Sequence, residues 1–302
     1  MKELWLAIEG GGTKTRILLA DTDRNVLAKE VGGPASGLYI DRAKYARKTS
    51  ALLKRVKRVA ERVKGKVTTA GLAAPMDAVL VKGIVKNVFG PVKFVQTSEG
   101  ELALALYGLN WGISLVAGTG SSCRAFNEQG HWTTCGGFGP QFGDEGSGYW
   151  IGRRAVRAVM LAQDGLSPET LLTEKLNAFL GIARVWDIFG YIDRSGHVSA
   201  TQVAAFTQHV FDAAQEGDGV ARKICRQAGR ELGKLVNATA RKVAWHRRPI
   251  PVVLTGGVFH GGRFVITPLK QTLRGQDVDY DVYPEVTEPA EGILKVMQTG
   301  SG

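Results

Sequence analysis

The chain opens with three short apolar runs separated by polar turns. The runs occupy residues 4–8, 16–20 and 26–28 and are rich in Ile, Leu, Val and Ala. Runs this short, bounded by glycines or by the polar stretch 21–25, are typical of buried strands rather than of helices. The pattern therefore predicts a meander of three consecutive strands at the start of the chain.

The turn between the first two strands carries candidate chemistry. Its residues are Glu9-Gly10-Gly11-Gly12-Thr13-Lys14-Thr15. Glycines allow backbone N–H groups to face an anion closely, so the stretch predicts a phosphate-binding hairpin. A P-loop and a dinucleotide fingerprint are excluded because both open a helix, whereas a strand follows here. A glycine-rich hairpin with no ligand is the alternative for this motif taken alone.

The same order of parts returns in the second half. An apolar run at 113–117 leads into Gly118-Thr119-Gly120-Ser121-Ser122, a second short run, a polar turn and the pair Gly136-Gly137. The first copy also ends in a pair, Gly32-Gly33. An internal duplication predicts two like halves facing each other across a cleft, each offering a turn to one polyphosphate.

Two further strand ends offer candidate site residues. The strand predicted at 92–96 ends just before Glu99, and the strand predicted at 250–254 runs into Gly256-Gly257. Open α/β sheets bind ligands at the carboxyl ends of their strands. Glu99 is therefore a candidate site carboxylate. The glycine pair is suited to contact a nucleoside or its phosphates, although a plain strand-to-helix connection explains it equally well.

A glycine-rich stretch at 136–148 precedes a predicted helix. Its many glycines indicate close approach of backbone to a ligand, with Asp144 and Glu145 available for hydroxyls or a metal. Interaction of these carboxylates with the helix dipole is the alternative. Helices are predicted at 42–64, 149–161, 168–180, 200–215, 220–245 and 288–297, and further strands at 67–74 and 278–282. We divide the chain into domains 1–108 and 109–302, with the last helix able to pack back on the first domain.

Composition narrows the setting. The chain has 302 residues, 44% of them hydrophobic and 22% charged. No apolar run approaches the ~20 residues of a membrane helix and no signal-peptide layout is present, so we expect a cytoplasmic protein with no membrane partner. Three cysteines, Cys123, Cys135 and Cys225, argue against a disulfide framework and a closed four-cysteine metal site.

The formal net charge of +11 is concentrated in the amphipathic helix predicted at 42–64. A basic solvated face that aids solubility explains this excess, and an anionic partner is the alternative. No aromatic ladder or nucleic-acid motif accompanies the basic residues, so we expect no nucleic-acid partner.

These motifs resemble those of the actin-like sugar kinases, specifically the N-acetylglucosamine kinase branch of the BadF/BadG/BcrA/BcrD ATPase family. The resemblance spans essentially the full length and is carried by Glu9-Gly10-Gly11-Gly12-Thr13, Gly118-Thr119-Gly120-Ser121 with Cys123-Arg124, Cys135-Gly136-Gly137-Phe138-Gly139 and Gly143-Asp144-Glu145-Gly146-Ser147, with a weaker echo at 214–218. It implies an α/β fold of two ribonuclease-H-like (actin-like ATPase, ASKHA) domains with a central cleft that closes over ATP and Mg²⁺.

The resemblance also implies an activity and residue roles. It implies an ATP-dependent kinase acting on an amino-sugar hydroxyl, with N-acetylglucosamine or glucosamine as the expected acceptor, and we expect a homodimer. The residues expected at ATP are Gly11, Gly12, Thr13, Lys14, Thr119, Gly120, Ser121, Ala214, Gly256 and Gly257. Those expected at the sugar are Ser36, Leu38, Glu99, Gly137, Phe138, Gly139 and Asp144. Glu9 would help to hold the magnesium shell.

The sequence departs from the family pattern at the catalytic base. The family uses an aspartate just after a strand, but residues 96–101 contain none, and Glu99 aligns best with the base. Its carboxylate stands one methylene further out, so backbone or substrate must shift to keep hydrogen-bond reach. Ser36 replaces an asparagine of acetamido-sugar kinases, Leu38 a tryptophan, and Pro75-Met76 small glycines. These changes concern the identity of the sugar more than the ATP chemistry.

Two other functions stay open from the sequence. Some members of the broad family are ATP-driven activators of a reductase or dehydratase that bridge two subunits with an iron–sulfur cluster. Cys123 and Cys135 are the candidate ligands here, but both also belong to the sugar-kinase motif. A non-catalytic nucleotide or sugar sensor is the other alternative, which the missing aspartate favours.

Overall fold

Two compact units make up the chain. The first comprises Met1–Asn110 with Val286–Gly302, and the second comprises Trp111–Glu285. The computed structural model describes residues 1–10, 14–33, 41–73, 77–191, 199–274, 278–286 and 289–299. Within these ranges, no helix is both long enough and apolar enough to cross a bilayer.

A five-stranded sheet forms the centre of the first unit. Its strands are β1 (Lys2–Gly10), β2 (Thr15–Asp21), β3 (Val26–Gly32), β4 (Gly65–Ala73) and β5 (Lys93–Thr97), in the order β3-β2-β1-β4-β5. Strands β1 to β3 are antiparallel, whereas β4 is parallel to β1 and β5 is parallel to β4. The predicted N-terminal meander is confirmed.

Helices cover both faces of this sheet. Alternate residues of β1 point to opposite faces, and the apolar residues on each face pack against helices. Leu6 and Ile8 join a core that includes Leu53 of α1 (Arg42–Arg62) and Val81 of α2 (Ala78–Phe89). Trp5 packs on the opposite face, in a cluster that includes residues of α3 (Glu99–Leu106) and of the last helix of the chain. The apolar side of α1 is thus buried, and its lysines and arginines are mostly exposed.

The second unit repeats the architecture of the first. Its strands are β6 (Gly112–Ala117), β7 (Ser121–Phe126), β8 (Trp132–Gly136), β9 (Ile250–Thr255) and β10 (Tyr280–Val286), in the order β10-β9-β6-β7-β8. Strands β6 to β8 are antiparallel and β9 is parallel to β6. When the strands are counted within each unit, both sheets have the same order, so the sequence repeat is a repeat of fold.

In the described part of the chain, six helices follow the second meander before the chain returns to the first unit. They are α4 (Gly148–Gln163), α5 (Leu172–Leu180), α6 (Ala200–Ala205), α7 (Thr207–Gln215), α8 (Gly219–Ala240) and α9 (Arg263–Arg274). Short 3₁₀ segments span Val185–Tyr191 and Gly257–Gly261. The final helix α10 (Pro289–Thr299) belongs to the first unit.

Three predicted helices differ in extent from those observed, and the one predicted at 168–180 begins only at Leu172. The helix predicted at 200–215 is two helices, because the chain turns at Phe206, whose N–H bonds the carbonyl of Val203. The helix predicted at 220–245 ends at Ala240, where the indole Nε1 of Trp245 donates to the Ala240 carbonyl at 2.8 Å. Apolar periodicity continues through both points, so pattern alone could not place these ends.

Candidate active site

The hairpin that follows β1 contains a largely buried ion pair. Arg16 donates from Nη1 to both carboxylate oxygens of Glu9, at 2.8 Å to Oε2 and 3.1 Å to Oε1. The two residues face each other directly in the β1–β2 ladder. Their side chains are only 8% exposed for Glu9 and 14% for Arg16. The predicted phosphate-binding residues 11–13 lie outside the described residues, and Lys14 is exposed immediately before β2.

The pairing of Arg16 with Glu9 was missed from sequence. The available signal was the symmetry of a hairpin, because residues equidistant from the centre of its turn oppose each other. Arg16 and Glu9 satisfy this symmetry about the glycine turn.

The carboxyl end of β5 places two glutamates on the first turn of α3. Ser98 caps this helix, accepting from the N–H of Glu101 at 3.2 Å, while Glu101 Oε2 accepts from the N–H of Ser98 at 2.7 Å. Glu101 is therefore engaged in a reciprocal capping interaction. Glu99 begins α3 directly after the cap, and its side chain lies outside the described part of the chain.

In the second unit, the turn between β6 and β7 is fastened to α4. The carbonyl of Gly118 accepts from Gly148 N at 2.8 Å, and that of Thr119 accepts from Tyr149 N at 3.1 Å. Ser121 Oγ donates to a backbone carbonyl of the following glycine-rich stretch at 2.9 Å. The turn predicted to face ATP is thus held in one shape by backbone contacts.

Asp144 is packed against this turn. Its φ of 64° is uncommon for a residue with a side chain, and the residue is only 5% exposed. Its Oδ2 lies 2.6 Å from where a Cβ on Gly120 would fall. Burial raises the pKa of the Asp144 carboxyl, and hydrogen bonds from the backbone N–H groups of Ser121 and Gly139 oppose that rise. Ser147, not Asp144, caps α4, so the helix-dipole alternative does not explain this carboxylate.

The end of β9 meets the same turn. Gly256 has a φ of 110°, and a Cβ there would lie 2.5 Å from the carbonyl oxygen of Ala117. Only glycine permits this approach, so Gly256 stands beside the start of the β6–β7 turn, and Gly257 follows it in the chain. Ala214, at the end of α7, is buried and its carbonyl accepts from Arg222 Nε at 2.8 Å. Its side chain belongs to the core of the second unit.

The loop after β8 crosses the turn and leaves aromatic rings in solvent. Gly137 N donates to the Ser121 carbonyl at 2.9 Å, and Gly139 accepts from the N–H of Gly143 at 2.9 Å. Phe138 and Phe142 are 72% and 84% exposed.

Two of the residues predicted to contact the sugar cannot be placed. Ser36 and Leu38 lie outside the described residues.

Glu9 fits a limited role in a magnesium shell. Arg16 occupies one lone pair on each carboxylate oxygen, and each oxygen keeps further acceptor capacity. In the described part of the chain, no three His, Cys, Asp or Glu residues are grouped to hold a metal. Mg²⁺ usually takes one or two carboxylates together with water and substrate phosphates. A single shell carboxylate at Glu9 is compatible with that chemistry.

The two cysteines of the second meander face each other across β7 and β8. Cys123 is fully buried, and burial raises its pKa to about 12. Cys135 is half-buried, and both are free thiols. A fully buried thiol is not accessible to a second subunit, so Cys123 is poorly placed to hold an iron–sulfur cluster that bridges two subunits.

Two sheets of identical order, each with a glycine turn between its first two strands, define the actin-like (ASKHA) class of α/β fold. The chain belongs to the BadF/BadG/BcrA/BcrD ATPase family, whose model matches residues 6–294. The fold and family expected from the motifs are confirmed.

Similar proteins match over most of their length. The chain is 28% identical over 286 residues to the N-acetylmuramic acid/N-acetylglucosamine kinase of Clostridium acetobutylicum, covering 89% of each chain. It is 29% identical over 275 residues to the N-acetyl-D-glucosamine kinase of Dictyostelium discoideum, covering 85% of each. A crystal structure of a candidate N-acetylglucosamine kinase from Chromobacterium violaceum matches with a TM-score of 0.72 and 25% identity, over 96% of this chain and 97% of that one.

Proposed function

We propose that the chain is an ATP-dependent kinase that transfers the γ-phosphoryl group of ATP to a hydroxyl of an amino sugar, with N-acetylglucosamine or glucosamine as the expected acceptor. The duplicated sheet is the observation that carries this proposal, since each copy has a glycine turn between its first and second strands. The names of the relatives supply the class of acceptor.

Phosphoryl transfer depends mainly on positioning and on stabilising charge. Backbone N–H groups of the turn around Thr119, together with the exposed Lys14, would meet the phosphates. Magnesium, when bound, supplies positive charge to the phosphate oxygens, and Glu9 would belong to its shell. The rigid fastening of the second turn to α4 favours this role, because a preorganised donor needs no rearrangement during the reaction.

Glu99 is the proposed general base. Its backbone lies at the carboxyl end of β5, at the first position of α3. Glu101, two residues on, is engaged in capping the helix and is therefore poorly suited to accept a substrate proton. In the proposed reaction the Glu99 carboxylate orients the attacking hydroxyl and accepts its proton.

The test is ADP release measured with ATP, magnesium and a panel of hexosamines and hexoses. Wild-type protein should release ADP faster with at least one amino sugar, and Glu99→Gln should lower kcat by about 100-fold or more, the usual scale for a general base. Glu101→Gln is the matched control because a glutamine also completes a capping box, so its turnover should stay near that of wild type.

Each outcome separates one part of the proposal. No sugar-stimulated ADP release by wild type would overturn the kinase assignment, and tight ATP binding without transfer would favour the sensor. A Glu99→Gln protein with full turnover would refute the base. Iron and sulfide found after anaerobic purification would favour the reductase or dehydratase activator. We also propose a homodimer, which light scattering tests as a mass twice the 32.5 kDa of the chain.

A further inference from the structure

The Glu9–Arg16 pair stands where the proposed magnesium shell and the first phosphate-binding turn would meet. Glu9 is the second-last residue of β1, and Arg16 is the second residue of β2. Across the sheet, the neighbour of Glu9 in β4 is Ala73, and the neighbour of Arg16 in β3 is Val31. These ladder neighbours are apolar. In the ladder, each charge is therefore directly opposite the other, and neither is directly opposite a third charged residue.

The pair is close and poorly hydrated. One guanidinium nitrogen lies 2.8 Å and 3.1 Å from the two oxygens of Glu9, and neither side chain is more than 14% exposed. Separating such a pair leaves a carboxylate with little water to solvate it. A cation that approaches Glu9 must therefore compete with a guanidinium already in place.

We propose that Arg16 is a positioning residue that makes divalent-cation binding at Glu9 depend on the nucleotide. A free hydrated cation would meet at Glu9 a carboxylate whose charge Arg16 already balances, and it would gain little else from the protein. The described residues provide no three-ligand group to help it. A cation that arrives on a triphosphate already has oxygen ligands, so it needs only the lone pairs of Glu9 that Arg16 leaves unused.

This inference rests on the proposed function only in taking ATP as the ligand. The consequence is an order of binding: the metal enters together with the nucleotide, and before that Arg16 neutralises the charge of Glu9. Such an arrangement prevents a free cation from occupying the turn before ATP arrives.

Mn²⁺ is the probe, because its electron paramagnetic resonance signal reports the free ion directly. Binding is measured without nucleotide for wild type, Arg16→Gln, Arg16→Lys and the double variant Glu9→Gln/Arg16→Gln. Arg16→Gln should gain one Mn²⁺ site at least about tenfold tighter than any in wild type, the scale on which neighbouring groups tune metal affinity. The double variant should lose that site, and Arg16→Lys should stay close to wild type because it keeps the charge.

Lys2→Gln is the matched control. Lys2 and Asp21 form a second ion pair between β1 and β2, at 3.0 Å and at the far end of the same two strands. Breaking that pair should not create the tight Mn²⁺ site, since Asp21 remains held by Asn25. A gain of similar size in Lys2→Gln would overturn the assignment to Glu9.

Two results would overturn the inference directly. One is Arg16→Gln protein that unfolds at the wild-type temperature yet binds Mn²⁺ no better than wild type. The other is a loss of nucleotide-free Mn²⁺ binding in the single variant Glu9→Gln. We expect no change in that variant, and a loss would show that wild-type Glu9 already binds the free ion. Neither measurement uses sugar. An absence of kinase activity would therefore refute the proposed function, but it would not affect the difference in Mn²⁺ binding between wild type and Arg16→Gln.

Discussion

Gly120→Ala tests whether Asp144 fixes the second glycine turn. A Cβ at this position would lie 2.6 Å from Oδ2 and 3.0 Å from Cγ of Asp144, so the carboxylate must move by about half an ångström or more. Two backbone N–H groups hold that carboxylate, and moving it weakens both bonds. Overpacking typically costs about 1–3 kcal/mol, and a hydrogen bond to a charged group contributes about 1.5–3 kcal/mol. We expect a loss of about 2–4 kcal/mol in the free energy of unfolding of the second unit.

Gly118→Ala is the control within the same turn. A Cβ on Gly118 would have no neighbour within 4 Å, so the methyl group meets open space rather than protein. Thermal unfolding should show a Tm lowered by about 5–12 °C for Gly120→Ala and nearly unchanged for Gly118→Ala.

Steady-state kinetics should show the complementary pattern if ATP phosphates occupy that open space. Gly118→Ala should raise KM for ATP about tenfold, which corresponds to a loss of about 1.4 kcal/mol. A Gly120→Ala protein with wild-type Tm and turnover would refute the packing argument. Equal losses of stability in both variants would refute the distinction between a protein-facing and a ligand-facing glycine.

Three further predictions each concern the surroundings of particular side chains. Asp144→Asn removes a buried carboxyl whose pKa is raised. The unfolding temperature of this variant relative to wild type should rise as pH rises from 3.8 through the raised pKa, because wild type must then ionise a buried group; a difference that is constant with pH would contradict this. Asp218 accepts from the N–H of Ala221 at 2.6 Å, which caps α8, and accepts two more hydrogen bonds at 2.8 Å from the segment before α5. Asp218→Ala should therefore lower the free energy of unfolding, measured by chemical denaturation, by about 2–4 kcal/mol. A loss below about 1 kcal/mol would exclude this role. Iodoacetamide at about pH 8 should label Cys135, while Cys123 and Cys225, buried and each with a pKa raised to about 12, should stay unmodified in peptide mass spectrometry; labelling of all three would contradict their burial.

The meander and its repeat could be predicted because their information is local. Short apolar runs, glycine turns and polar turns recur in the same order, and each run became a strand. The end of α8 could not be predicted in the same way. It depends on the indole of Trp245 reaching back to the Ala240 carbonyl, a contact that the apolar pattern does not encode.

The glycine-rich stretch shows a second limit of sequence reasoning. Its glycines predicted close approach of backbone to a ligand, but three of them, Gly136, Gly146 and Gly148, face protein backbone instead. A Cβ on Gly146 would lie 2.7 Å from the Ala228 carbonyl oxygen, and one on Gly148 would lie 3.0 Å from that of Gly118. The sequence shows that glycine is used at these positions. Only the fold shows whether the group that approaches each glycine is protein backbone or a ligand.

The donors already used at α4 decide which element of the second unit can meet a phosphate. Helix N-termini often bind anions through free N–H groups. Here the N–H groups of Gly148 and Tyr149 donate to carbonyls of the β6–β7 turn, and that of Trp150 donates to the side chain of Ser147. The first turn of α4 is therefore committed to holding the glycine turn in shape. A phosphate bound beside α4 would therefore be met by the glycine turn and not by the helix, which is the role expected of a hairpin rather than of a P-loop helix.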